Sequence, residues 1–188
     1  MEIPVEVSAR HIHISKKDLE TLFGEGYQLH RLKQLTQPSD FATEEVLDIE
    51  IGGKKLLGVR IVGPEREKTQ IEISKTDAVL LGVNPPIRLS GDLENSLGSK
   101  LIGPKGELEL SEGLIIVKRH IHCATNEAES LGLKNNDIVS VKVDGERSVI
   151  FEGVVVRVNN DYKLSMHIDT DEGNAAGINK IGKGIILK

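Results

Sequence analysis

Two four-residue segments of the chain are identical, Arg10-His11-Ile12-His13 and Arg119-His120-Ile121-His122. On an extended strand, residues i and i+2 project from one face with their Cα atoms roughly 6.5–7 Å apart. Two imidazoles held that way can converge on one metal ion, while Ile12 and Ile121 turn to the opposite face. A single His-x-His can also be a hydrogen-bonded strand pair; its repetition within 188 residues favours metal. Catalytic zinc takes three protein ligands and keeps a fourth position open, so each pair needs one more donor. Met166-His167-Ile168-Asp169 offers an imidazole between apolar neighbours, and Thr69-Gln70-Ile71-Glu72-Ile73-Ser74 offers a carboxylate between isoleucines. Glu72 is either such a ligand or a solvent-facing strand residue. His30, beside Arg31 after a turn, reads as an ordinary surface histidine.

Anion chemistry has its own candidates. Gly63-Pro64-Glu65-Arg66 sets an arginine after a rigid turn, and a guanidinium fork matches phosphate oxygens. Pairing of Arg66 with a local acid is the alternative. Arg88-Leu89-Ser90-Gly91-Asp92 puts a hydroxyl beside a glycine, which would also serve any turn. The phosphate loop pattern GxxxxGK[ST] is absent. Cys123 directly follows His122 and invites a Cys–His nucleophile. Strand alternation instead puts its thiol on the Ile121 side, away from the imidazoles, as a small buried hydrophobe.

The elements that must position these groups are short and β-rich. Ile3 to Ser8, Val46 to Ile51, Leu56 to Val62, Gln70 to Ile73, Gly113 to Val117, Ile138 to Val143 and Ser148 to Val158 read as strands. Gly52-Gly53 and Asp144-Gly145 are tight-hairpin signals between paired runs. Ser15 caps an expected helix to about Phe23, ended by Gly24; Thr76 and Thr125 precede two more, ended by Gly82 and Gly132. This pattern predicts an all-β architecture of small barrels or a sandwich. Each Arg-His-Ile-His follows an apolar strand and precedes a short helix that stops at glycine, so two related β units each present one His pair.

Composition narrows the class of partner. The formal charge of −5 and the scattering of lysine and arginine among acids argue against a nucleic-acid backbone. Aromatics at 3% leave no stacking platform for single strands. No apolar run approaches the ~20 residues of a membrane span, and no secretory signal is read. One cysteine excludes an intramolecular disulfide framework and fits a reducing cytoplasm.

Taken together, several motifs in one order resemble those of the PduL-type phosphate acyltransferases (phosphate propanoyltransferases). They are Ser8-Ala9-Arg10-His11-Ile12-His13, Thr36-Gln37-Pro38, Gly63-Pro64-x-Arg66, Thr69 to Ser74 with Thr76-Asp77-Ala78, Arg88-x-Ser90-Gly91-Asp92, Arg119 to His122, and His167 to Glu172. The resemblance runs over essentially the whole chain. It implies two small β-barrels capped by short helices, with the active site between them. Residues 1–9 with 118–188 would form one barrel, and 10–117 the other, with a small hairpin region inserted at about 24–44. The activity implied is acyl-CoA + phosphate ⇌ acyl phosphate + CoA, with two zinc ions per chain. His11, His13 and Glu72 would hold one ion, and His120, His122 and His167 the other. Arg66 would bind phosphate as the catalytic arginine, inside a polar network of Ser8, Gln37, Gln70, Ser90 and Arg157. Acetyl or propanoyl, the CoA pocket and homo-oligomerisation are left open.

Three features depart from the family pattern. Asp40 stands where glutamine or glutamate is usual, Gly173 replaces an alanine without expected harm, and Met1 lies two residues before the first strand. The last predicts a free cytoplasmic enzyme with no N-terminal microcompartment-targeting extension. Two other readings compete. A cupin-type oxygenase or isomerase would need a glutamate a few residues past each pair; Glu20 lies seven past His13, on an expected helix, and none is read after His122. A non-catalytic module with structural zinc would close its coordination shells, whereas three-donor sites beside an arginine leave one position open.

Overall fold

The computed structural model describes residues 1–187. The chain runs through β1 (Glu2–Ser8), β2 (His11–His13), α1 (Lys16–Phe23), β3 (Arg31–Gln34), β4 (Phe41–Ile51) and β5 (Lys54–Gly63). It continues with β6 (Gln70–Glu72), α2 (Lys75–Leu81), β7 (Ile87–Arg88), β8 (Leu97–Ile102), β9 (Glu107–Val117) and β10 (His120–Cys123). Then follow α3 (Thr125–Leu131), β11 (Ile138–Val143), β12 (Val149–Val158), β13 (Ser165–Asp169), α4 (Thr170–Ala176) and β14 (Ile181–Leu187).

The chain is all-β with four short helices, and it divides into two compact units. Unit 1 comprises Met1–Ala9 and Lys118–Lys188. Its six strands close in the order β1-β13-β10-β12-β11-β14, with β14 returning antiparallel to β1. Its interior holds Ile3, Val5, Ile121, Cys123, Val141, Val156, Met166 and Ile168.

Unit 2 is Arg10–Val117. Here β4, β5, β2, β6, β9 and β8 close a second ring, because β8 pairs with both β9 and β4. Strands β3 and β7 lie outside that ring, on β4 and β9. Ile12, Ile14, Leu47, Ile61, Ile71 and Leu114 fill its interior.

The two rings have the same order and sense of strand pairing, with one strand moved from the start of the chain order to its end. In each, the His-x-His strand runs parallel to one neighbour (β12 or β5) and antiparallel to the other (β13 or β6). The place that β1 takes in unit 1, parallel to β13 and antiparallel to β14, is taken in unit 2 by β9 against β6 and β8. Strand β1 immediately precedes β2 in sequence, and β9 immediately precedes β10. Each unit therefore contains the strand that leads into the other unit's histidines.

Helix α1 forms as expected, with Ser15 accepting from Asp18 N and Gly24 at its end. The starts of the other two helices are corrected. Ser74, not Thr76, caps α2, in a reciprocal box with Asp77. Thr125 is the first residue of α3; Ala124 precedes it, and Glu127 supplies the bond that remains, accepting from Ala124 N at 2.8 Å. Glu127 stands five residues past His122, where a cupin glutamate would stand, and its carboxylate is used as this helix cap. Helix α4, capped by Asp169 and Glu172, was not expected from a seven-residue run carrying a central glycine. Gly173 is more than harmless: a Cβ there would come within 2.6 Å of Val7 Cγ2. Strands β3, β7, β8 and β14 were also missed, and β4, β5 and β9 extend well beyond the expected runs. No helix among the described residues is long and apolar enough to cross a membrane.

Candidate active site

In unit 2, antiparallel pairing of β2 with β6 sets His11 opposite Glu72 and His13 opposite Gln70. Alternation puts these four side chains on one face, and sends Ile12 and Ile71 into the barrel, both fully buried. His11 Nε2 lies 3.1 Å from His13 Nε2 and 3.5 Å from Glu72 Oε2, and His13 Nε2 lies 3.8 Å from Glu72 Oε1. Ligands bonded at ~2.0–2.1 Å to a tetrahedral zinc stand about 3.3 Å apart, so the donor spacing fits such an ion. His13 Nδ1 donates to Val62 O at 3.1 Å, which leaves the Nε2 lone pair for the cluster. Burial, then the positive fields of His11 and Arg66, holds His13 well below the usual imidazole range, in its neutral, ligating form.

The expected network begins at this carboxylate. Gln70 Nε2 donates to Glu72 Oε1 at 2.5 Å and to Ser90 Oγ at 2.8 Å, and Gln70 Oε1 accepts from Gly91 N at 2.7 Å. Arg66 Nη1 donates to the same Ser90 Oγ at 3.1 Å. The guanidinium is thus linked to a metal-ligand candidate through two neutral side chains. The Arg66 backbone is fixed as well, its N–H donating to Ile14 O at 2.9 Å.

Unit 1 repeats the square of side chains with two substitutions. His120 faces His167 and His122 faces Ser165 across β10 and β13. The ligand atoms of His120, His122 and His167 lie within 4.8 Å of one another. His120 Nδ1 donates to Lys118 O at 2.9 Å, again leaving Nε2 for the cluster. Burial, against the opposing backbone bond and helped by Arg157, pushes the His120 pKa down to about 4. Ser165 Oγ lies 2.9 Å from His167 Nε2, and Tyr162 packs against His122 with ring centroids 4.2 Å apart. Arg157 on β12 is the register partner of His122.

The site residues expected from sequence therefore divide. Arg66, Gln70 and Ser90 are joined to Glu72 within unit 2, whereas Ser8 and Arg157 belong to unit 1, with Ser8 opposite Asp169. Gln37 is buried in the β3–β4 loop, its carbonyl accepting from Asp40 N at 3.1 Å. Asp40 shapes that turn, its carbonyl accepting from Leu35 N and its carboxylate from Ser39 Oγ. His30 lies outside both clusters and pairs with Glu45 at 2.7 Å. Cys123 is fully buried in the unit 1 core beside Ile121, and burial raises its thiol to about 11, so it supplies no thiolate.

Sequence reasoning missed Ser165 and Tyr162, and it treated the arginine of the repeat only as a marker. The Gln70 position across from the second histidine would have pointed to Ser165, had the two strands been aligned on their third ligands.

The chain is similar to known proteins over nearly its whole length. The sequence profile described as phosphate propanoyltransferase matches residues 4–179. A phosphate propanoyltransferase of Thermotoga maritima is 52% identical over 179 residues, 94% of this chain and 85% of that protein. The protein of that name from Lachnoclostridium phytofermentans is 48% identical over 94% of this chain and 83% of its own. The one from Listeria monocytogenes is 43% identical over 99% and 87%.

Proposed function

The chain belongs to the phosphate propanoyltransferase family and is an acyltransferase, and from that premise we propose that it is a zinc-dependent enzyme interconverting acyl-CoA + phosphate and acyl phosphate + CoA. The acyl group is short, with propanoyl placed first on the relatives' name and acetyl second. The observation that carries this reading is the unbroken chain Glu72–Gln70–Ser90–Arg66, which couples a three-donor cluster to a phosphate-binding fork. Two zinc ions, one on His11, His13 and Glu72 and one on His120, His122 and His167, would supply Lewis-acid stabilisation of negative charge and a soft partner for the CoA thiolate.

The residues do the rest of the work. Arg66 offers a planar pair of donors to two phosphate oxygens, and Ser90 with Gln70 holds that plane in place. Phosphate at neutral pH already carries a nucleophilic oxygen, so it needs orientation more than deprotonation. That oxygen attacks the thioester carbonyl carbon, the C–S bond breaks, and CoA leaves as the thiolate. A covalent relay would need an activated nucleophile beside a free base. The cluster imidazoles are committed as ligands and Cys123 faces the core, so transfer is direct. The cytoplasmic setting we propose fits a chain with a single cysteine.

Release of free thiol from propanoyl-CoA and acetyl-CoA is the deciding measurement. It should require phosphate, disappear on removal of metal and return with zinc. Release that is independent of phosphate, or unchanged in protein stripped of metal, would reject the reading.

A further inference from the structure

The arginine that opens each Arg-His-Ile-His is used in the same way in both units. Arg10 Nη2 and Nε reach the two carboxylate oxygens of Asp77 at 2.8 and 3.0 Å. Arg119 Nε reaches Glu172 Oε1 at 2.8 Å. Both acids occupy the same position, the third residue of the helix that follows the third-ligand strand. Both also close a capping box: Asp77 Oδ2 accepts from Ser74 N at 3.2 Å, and Glu172 Oε2 accepts from Asp169 N at 3.0 Å.

The third ligand stands two residues before each capped position, Glu72 before Ser74 and His167 before Asp169. The ladder between ligand strands is only three pairs long in each unit. A one-residue slip in so short a ladder would turn a ligand to the wrong face. The ion pair crosses just beyond the ligand row and ties the strand bearing two histidines to the helix that fixes the strand bearing the third donor.

We propose that Arg10 and Arg119 are positioning residues, each a strut that sets one metal's third ligand against its histidine pair through Asp77 or Glu172. They are thereby committed to the protein and not to phosphate or CoA. The inference rests on the two-metal reading above.

Glutamine retains the acceptor that a capping box needs, so Glu172→Gln and Asp77→Asn weaken the strut while keeping the helix cap. Zinc affinity should be measured by competition with a chromophoric chelator, and site geometry by the visible spectrum of the cobalt-loaded protein. Glu172→Gln and Arg119→Ala should weaken one of two zinc sites by about ten- to a hundredfold, with an altered cobalt spectrum. Asp77→Asn and Arg10→Ala should weaken the other site, and Arg119→Lys should recover part of the loss. Thermal unfolding of metal-free Glu172→Gln should stay near wild type. Wild-type affinity and spectrum in both Glu172→Gln and Arg119→Ala would overturn the strut, as would equal weakening of both sites by one substitution. Failure of the wild-type protein to bind two zinc ions would instead overturn the metal reading, and the strut with it.

Discussion

The two donor clusters occupy matching positions in rings of identical strand pairing, yet two of their four corners differ. Unit 2 places Glu72 and Gln70 where unit 1 places His167 and Ser165. A divalent ion on two histidines and a glutamate keeps a net charge of about +1, and one on three histidines about +2. The backbone thus supplies a common frame, and on the proposed two-ion reading one substitution would set how much positive charge each cluster carries. The carboxylate also gives unit 2 an acceptor for Gln70, and through it a connection to Ser90 and Arg66. A histidine in its place would end that chain. On the proposed function, this asymmetry would put phosphate handling in unit 2 and the more electrophilic ion in unit 1.

The largest expected effect comes from deleting either cluster. On the proposed two-ion reading, His11→Ala and His120→Ala should each lower metal content from two ions to one and reduce turnover by at least ~10³-fold. Near-normal turnover in either variant, by thiol release with metal analysis, would make one cluster structural only.

Arg66→Lys should come next, losing about 10²–10³-fold in kcat/KM for phosphate because an ammonium cannot reproduce the fork. Saturation with phosphate at wild-type concentrations would remove Arg66 from that role. Exchanging the corners tests the comparison itself. Glu72→His should retain two ions yet lose roughly 10–100-fold in phosphate turnover, as the Gln70 chain loses its acceptor. The converse variant, His167→Glu, should keep phosphate KM and lower kcat. If both exchanges shift the same parameter, the division of labour is wrong.

Ser165→Ala should cost about tenfold in affinity at the three-histidine site alone, read by chelator competition. The smallest effect belongs to Cys123→Ala, with most activity retained and a stability cost of about 1 kcal/mol from the small void in the core. Initial-rate lines for CoA ester and phosphate should intersect in wild type and variant alike. Parallel lines, or an isolable acyl-enzyme, would restore a covalent route.

Much of the candidate site can be read in the residues because its paired donors are local. His-x-His needs only strand alternation to place two imidazoles on one face, and the same rule sends Ile12, Ile121 and Cys123 inward. Helix α1 is legible for a similar reason, since Ser15 and Gly24 are signals within one short span. Third ligands are harder to assign: Glu72 lies about sixty residues past its histidines, and a carboxylate between isoleucines has the pattern of any half-buried strand. Only the pairing of β2 with β6 and of β10 with β13 brings each candidate third donor beside its histidine pair. Tertiary structure alone also converts the repeated arginines from a sequence marker into ion pairs with helix caps, and gives Ser165 a place beside His167. The same holds for the exchange of leading strands: local propensity makes β1 and β9 strands, but closing each ring depends on pairing with residues more than a hundred positions away for β1, and, beyond its local hairpin with β8, on pairing with β6 several tens of positions away for β9. No window along the chain contains that information.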